Sequence, residues 1–420
     1  MDHKQKAKEY FNRISVHHVG GRAGSRVFPV LDKFEGDIIN VLYDADPDCL
    51  EQIRQRNKCL KSELYVLPYC VAETCKKGVF SINYDPYTSS LKEFNQDYSS
   101  YYTWRDCDYM LSQAFKSMKK LELDLVSLDY IFQSDNPLVP PPDFLSLDTQ
   151  GSEYEILLGA KKTLNSNVLA LAIEVGFHPH YKGQKLFGEI SAFLSEQGFD
   201  FIIFPEIFTV TPFRAPVGLR GEGFQSFADA LFFRNINQIE NSNGTVDYKC
   251  YSMLRKLAFI AIIFNQFEFA LQCLNKSKQV CPFDTAAGQE EGLAYCKFLR
   301  EFEDCFTKMQ KIFPPTFNEK YSFEESKARF KDTACVVPNS PVKSLLRNFP
   351  AIFQLLKGVK NILFMLKVSF QRCLAAVKER IDLLFGGNSG IEVLFFKYCL
   401  KEQAQLLRKN RIKHLKSCKR

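Results

Sequence analysis

The chain has 420 residues, 46% of them hydrophobic and 25% charged, which excludes wholesale disorder and is more than one ordinary core would use. Its formal charge of +7 is unevenly placed: residues 357–420 carry 15 Lys/Arg against 4 Asp/Glu, leaving about −4 for the rest, which argues against a generally basic nucleic-acid binder. No uncharged apolar run approaches the roughly 18 residues of a membrane span, the best being Leu257–Phe267 at 11 residues. The 14 cysteines are scattered behind an N-terminus, MDHKQKAKEYFN, that lacks a secretory pattern, so reduced thiols and a cytoplasmic location are expected.

Strand-like runs fall at Ser15–Val19, Ile38–Tyr43, Leu64–Val71, Phe144–Leu147, Val168–Ile173, Phe201–Phe204 and Ala230–Phe233. Between them, Asp46–Asn57, Glu153–Leu164 and Phe187–Glu196 carry apolar residues at helical spacing. This alternation predicts an α/β sheet with helices on both faces. Val79–Asn83 is a short extra strand, Tyr84–Trp104 a loop able to cover a ligand, and Pro205–Phe227 a long irregular connection. After a polar linker near Asn235–Tyr248 the pattern is helical: Tyr251–Leu274, Gly288–Ile312, Val342–Phe385 with breaks, and Ile391–Lys416. The expected division is therefore 1–239 for the sheet and 240–420 for an all-α domain with a basic C-terminus.

Chemistry is expected at the carboxyl ends of buried parallel strands. Asp148 ends the Phe144–Leu147 run and Glu174 ends Val168–Ile173, so both carboxylates face one crevice. A carboxylate ending a buried strand is costly unless it is paired or used. Near the N-terminus, Gly20, Gly21 and Gly24 allow a tight turn and close backbone approach to a ligand at a helix N-terminus. About twenty residues on, Asp44 ends a strand where nucleotide-binding folds place an acid for ribose hydroxyls. The neighbouring Asp46 is a helix cap before Pro47.

The segment Asp143-Phe144-Leu145-Ser146-Leu147-Asp148-Thr149-Gln150-Gly151-Ser152-Glu153-Tyr154-Glu155-Ile156-Leu157-Leu158-Gly159-Ala160 resembles the hallmark D-F-[IL]-K-[IL]-D-x-[QE]-G-[AS]-E-x-E-[IV]-L-x-G-A of the FkbM family of S-adenosylmethionine-dependent methyltransferases. Further agreements are Ser89-Ser90-Leu91, Leu128-Asp129 and Glu174 through Gln184, so the resemblance covers residues 15–235. It implies a Rossmann-like seven-stranded methyltransferase sheet and methyl transfer to a hydroxyl of a sugar, glycan or secondary metabolite. It also implies S-adenosylmethionine at Gly20, Gly21, Arg22, Gly24 and Asp44. Family members open with D-x-G-A-N-x-G where this chain has His18-Val19-Gly20-Gly21-Arg22-Ala23-Gly24. The missing acid normally contacts the methionine part of the cofactor, a role for which Arg22 is a substitute through the methionine carboxylate.

An alcohol acceptor needs a base or a metal that lowers its pKa. Asp148 and Glu174 suit either, with Mg²⁺ an analogy to catechol-type methyltransferases, and His178 is the neutral base candidate. Glu153 and Glu155 suit the first turn of a helix, Gly151 a turn, and Asp129 a cap, while His180 and Tyr181 divide between packing and substrate contact. In Ile352–Phe370, apolar residues share one face and Lys357, Lys360 and Lys367 the other, the pattern of a bundle helix or of a peripheral contact with an anionic membrane. The competing functional expectation is a methyltransferase fold that has lost catalysis and serves as a binding or scaffold module.

Overall fold

The computed structural model describes residues 12–20, 28–29, 31–44, 62–99, 102–104, 110–133, 139–212, 223–239, 248–280 and 293–312. The expected helix at 46–57, the glycines at 21 and 24, Arg22 and the basic region 357–420 lie outside the described residues.

The main sheet is built from β1 (Ile14–Gly20), β2 (Ile38–Tyr43), β3 (Glu63–Leu67), β6 (Tyr102–Trp104), β8 (Phe144–Asp148), β9 (Ala170–Gly176), β10 (Phe199–Pro212) and β11 (Phe224–Arg234). Their order is β3-β2-β1-β8-β9-β11-β10-β6. Pairing from β3 through β9 is parallel, and β11 runs antiparallel to both of its neighbours. This is the expected seven-stranded sheet with three-residue β6 as an eighth strand on the edge. A second sheet sets β7 (Ser117–Val126) between β4 (Cys70–Val71) and β5 (Lys76–Asn83).

Several expected elements differ in extent, each for a local reason. The run Leu64–Val71 splits at Pro68 into β3 and β4, which serve different sheets. The expected connection Pro205–Phe227 is largely strand, because β10 continues to Pro212 and β11 starts at Phe224. Pro205 is tolerated because it falls in a register shift between Ile203 and Glu206, where no ladder N–H is required. The helix expected over Glu153–Leu164 breaks at Gly159 into Glu153–Leu158 and Lys161–Ser166. A side chain at Gly159 would strike the carbonyls of Ala72 and Glu73.

Alternation divides the core. One face of the sheet, with Val41, Leu147, Ile173 and Ala230, packs under the helices Glu153–Leu158 and Phe187–Glu196 through Ile156, Leu157, Ile190 and Leu194. The opposite face is covered by the helices Tyr248–Ile263 and Phe267–Val280, which meet at Asn265 in a left-handed conformation (φ 62°). Leu254 and residues 257–262 are all buried, as in a core helix. Phe259 packs on Phe34, and the Phe264 ring lies parallel to that of fully buried Phe144 at 5.8 Å. Lys256 Nζ donates to both oxygens of buried Asp143 at 2.8 and 3.1 Å, and Asp143 Oδ2 also accepts from the Ser15 N–H.

The chain forms two compact units, Met1–Cys296 and Lys297–Arg420. The unit that holds the sheet thus runs past the division at 239/240 expected from the sequence and includes the first two helices after it. Of the second unit only the continuation of the helix Ala294–Ile312 is described. Among the described residues no strand follows Arg234, and no helix is long and apolar enough to cross a membrane.

Candidate active site

A cavity of about 410 Å³ opens at the carboxyl ends of β1, β2, β8 and β9, where the topology predicts ligand binding. Its floor is Val19, Gly20, Tyr43, Asp44, Asp148 and Glu174. Residues 85–89 and Leu91 form one wall, from the segment expected to cover the ligand, and Phe208 and Phe227, with rings stacked at 4.6 Å, form another.

Gly20 pairs with Asp148 across β1 and β8. It has φ +80°, and a Cβ there would lie 1.9 Å from the Asp148 carbonyl oxygen, so only glycine fits. Asp44 follows β2 directly, its N–H donating to Leu67 O. These two residues and the cavity volume fit a nucleoside cofactor: a bare backbone beside a strand-end acid, in a space of ligand size.

Glu174 lies inside β9 rather than at its end, because β11 continues to pair past it and places Asp229 opposite. Asp229 in turn pairs with Glu206 of β10. Register thus brings Asp148, Glu174, Asp229 and Glu206 to one sheet face in a row. Burial first, then the charges of Asp148, Glu153 and Asp229, hold the Glu174 carboxyl well above the usual range. Asp229 is raised to about 6 by burial and by Asp148 and Glu206.

Gln150 ties this row together. Its backbone is left-handed (φ 59°), and its Nε2 donates to Asp148 Oδ1 at 2.8 Å and to Glu174 Oε2 at 2.7 Å. Its Oε1 accepts from the Tyr181 hydroxyl, shared with Thr88 O, and its carbonyl accepts from Ser90 Oγ. The turn is closed by Glu153, whose carboxylate accepts from the N–H groups of Thr149 and Gly151. Burial raises Glu153 to about 7 against those bonds.

The expectation of Mg²⁺ at Asp148 and Glu174 is not supported. One oxygen of each carboxylate is instead taken by the shared amide donor of Gln150. Among the described residues no group of three His, Cys, Asp or Glu is placed to hold a metal.

His178 stacks on Tyr98 at 5.2 Å and does not line the cavity that contains Asp148 and Glu174. His180 is a packing residue, buried with Nε2 2.5 Å from Ser226 Oγ and its pKa lowered by burial to about 4. Tyr181 acts through Gln150. Asp129 caps the Lys161–Ser166 helix by accepting from Lys162 and Thr163 N–H, and Glu155 pairs with Lys92. Sequence reasoning missed Asp229, Glu206 and the ring pair Phe208–Phe227. Their only signal is the antiparallel register of β11, which periodicity does not reveal.

Residues 19–201 match the model of the methyltransferase FkbM domain. No curated protein matches the sequence. Among solved structures, a methyltransferase FkbM from Methylobacillus flagellatus is 14% identical, with a TM-score of 0.29 over 53% of this chain and 44% of its own length. A putative tRNA methyltransferase from Streptococcus pneumoniae is 10% identical, with a TM-score of 0.26 over 65% of this chain and 99% of its own. An M. capricolum protein in complex with S-adenosyl-homocysteine is 8% identical, with a TM-score of 0.24 over 68% and 98%. This chain thus spans less than half of the FkbM structure it resembles.

Proposed function

We propose, on the premise that residues 19–201 are a methyltransferase domain of the FkbM family, that the protein methylates a hydroxyl group of a sugar, glycan or secondary metabolite in the cytoplasm. The observation that carries this reading is the convergence of Gly20, Asp44, Asp148 and Glu174 on one cavity at the carboxyl ends of the parallel strands. When bound, S-adenosylmethionine supplies an electrophilic methyl group on a sulfonium. Asp44 suits its ribose hydroxyls, and the bare backbone at Gly20 allows close approach. Asp148 and Glu174, on the cavity floor, are the carboxylates available to take the acceptor's proton, and the raised proton affinity of Glu174 makes it a stronger base than an ordinary carboxylate once ionised. Phe208 and Phe227 give the acceptor an apolar wall and keep water from the reacting groups. Positioning accounts for most of the expected rate gain, since the methyl donor is intrinsically reactive.

Calorimetric titration of the full chain with S-adenosylmethionine and S-adenosylhomocysteine tests the reading. Binding of both, followed by mass-spectrometric detection of methyl transfer to a panel of hydroxylated sugars and metabolites, supports it. Absence of binding supports the alternative, a binding or scaffold module, which His18 in place of the usual acid favours.

A further inference from the structure

Tyr181 is buried where three segments meet: the turn after β8, the loop after β9 and the cavity wall at residues 85–89. Its hydroxyl lies 3.0 Å from Gln150 Oε1 and 2.9 Å from Thr88 O, so one hydrogen has two acceptors. Thr88 O already accepts from Asn83 Nδ2 at 2.6 Å, whereas Gln150 Oε1 has no other donor among the described residues. Burial first, then the charges of Glu174, Glu153, Asp148 and Asp85, hold the hydroxyl above the usual tyrosine range, so it keeps its hydrogen and can donate it. The ring is packed in place. Gly151 has φ +99°, and a Cβ there would lie 2.7 Å from Tyr181 Cδ2, while the Phe115 ring meets Tyr181 edge-on at 5.2 Å. The turn's glycine is thus required by the tyrosine ring as well as by its own backbone.

A side-chain amide can be turned by half a rotation with little change of shape, which exchanges its donor end for its acceptor end. In that turned state Gln150 Oε1 would face Asp148 Oδ1 and Glu174 Oε2, and only a protonated carboxyl could meet it. Asp148 of β8, Glu153 of the helix that follows and Asp229 of β11 are the charged groups facing Glu174, and all three favour its protonated form. The Gln150 amide, donating to Glu174, favours the ionised form. How readily Glu174 gives up a proton therefore depends on which way one amide points.

We propose that Tyr181 is a positioning residue for the carboxylate pair, its hydroxyl donating to Gln150 Oε1 and so keeping the amide hydrogens on Asp148 and Glu174. This rests on the reading of Glu174 as the base for the acceptor, and it gives the loop after β9 a part in the chemistry although Tyr181 does not line the cavity.

The test is carbon-13 NMR of the full chain labelled at the glutamate side-chain carboxyls, with the Glu174 signal identified by its loss in Glu174→Gln. A pH titration then gives the upper midpoint of the coupled acids. Tyr181→Phe keeps the ring and removes the hydroxyl. It is expected to raise that midpoint by about one pH unit, a gain of about tenfold in proton affinity, and to have no such effect once Gln150→Met has removed the amide. No upward shift overturns the proposal, and so does an equal shift in both backgrounds, because the hydroxyl would then act without the amide. Should Tyr181→Phe not fold, the wild type decides: the side-chain amide hydrogens of Gln150 are expected to shift with the Glu174 midpoint, and resonances that do not follow it overturn the proposal. The titration needs no cofactor, so it can fail while S-adenosylmethionine binding stands. A chain that binds no S-adenosylmethionine removes the acceptor's base from the reading and leaves the amide's orientation to be decided by the titration.

Discussion

The side-chain amide of Gln150 donates to Glu174 Oε2 at 2.7 Å, joining a turn after β8 to the interior of β9. The same nitrogen serves Asp148, so a neutral donor holds two carboxylates that otherwise repel. Gln150→Glu replaces the donor with a third carboxylate. The variant should lose about 1–3 kcal/mol of stability, with a larger loss at pH 8 than at pH 5.5, where the acids are more protonated. Thermal melts at the two pH values check this, and equal losses would show that the acids are not coupled.

Asp44→Asn should weaken S-adenosylhomocysteine by about 1.5–3 kcal/mol, because an amide replaces the anionic acceptor for ribose hydroxyls. Calorimetry on the folded variant reads the change, and affinity within a factor of about two of wild type removes Asp44 from the cofactor site.

Asp229 gives a pH dependence of known sign. Its carboxyl is raised to about 6 in the folded protein, against about 3.9 when unfolded. The folded state therefore holds the proton more tightly, and this contribution to stability is complete below about pH 4 and lost as pH rises through about 6. Asp229→Asn should be about 1 kcal/mol more stable than wild type at pH 8 and nearly equal to it at pH 4, after allowance for partial exposure. Denaturant titration across this range measures it.

Lys256→Met should cost about 3–5 kcal/mol, since it leaves Asp143 charged and unpaired inside the protein. Adding Asp143→Leu should recover much of that loss, although the Ser15 N–H then lacks its acceptor. A double-mutant cycle by chemical denaturation separates the ion pair from that hydrogen bond.

A chain ended at Asn243 removes the helices that cover Phe144 and Phe233, both fully buried. Each exposed phenylalanine forfeits about 1.5–3 kcal/mol of burial, so the truncated chain should aggregate, whereas one ended after residue 296 should stay soluble. Size-exclusion chromatography distinguishes the two, and a monodisperse shorter chain would restore the division at 239/240.

The parallel half of the fold was legible because its strands are short continuous apolar runs ended by Gly20, Asp44 and Asp148. The motif around Asp148 located the cavity for the same reason: sequence neighbours are also spatial neighbours there. What stayed hidden depends on register. The apolar run before Glu174 marks it as a strand terminus, whereas it lies inside β9 with Asp229 paired opposite, and Pro205 reads as a loop residue because bulges leave no periodic trace. The helices after residue 247 read as a separate domain because amphipathic patterning shows that a face is covered, not which surface covers it.

β1 is the first of the described strands in chain order, yet it sits in the middle of the sheet and one of its partners is β8. The Tyr295 hydroxyl donates to Asn12 O, just before that strand, across 283 residues of sequence. At about 5–20 residues per second of synthesis, the apolar segment Ile14–Val19 emerges roughly 15–60 s before this last neighbour does. Contacts of such separation also slow folding once the chain is complete. An apolar strand that waits this long for its neighbours stays exposed, so the yield in cells should respond to chaperone supply and translation rate more steeply than equilibrium stability alone implies.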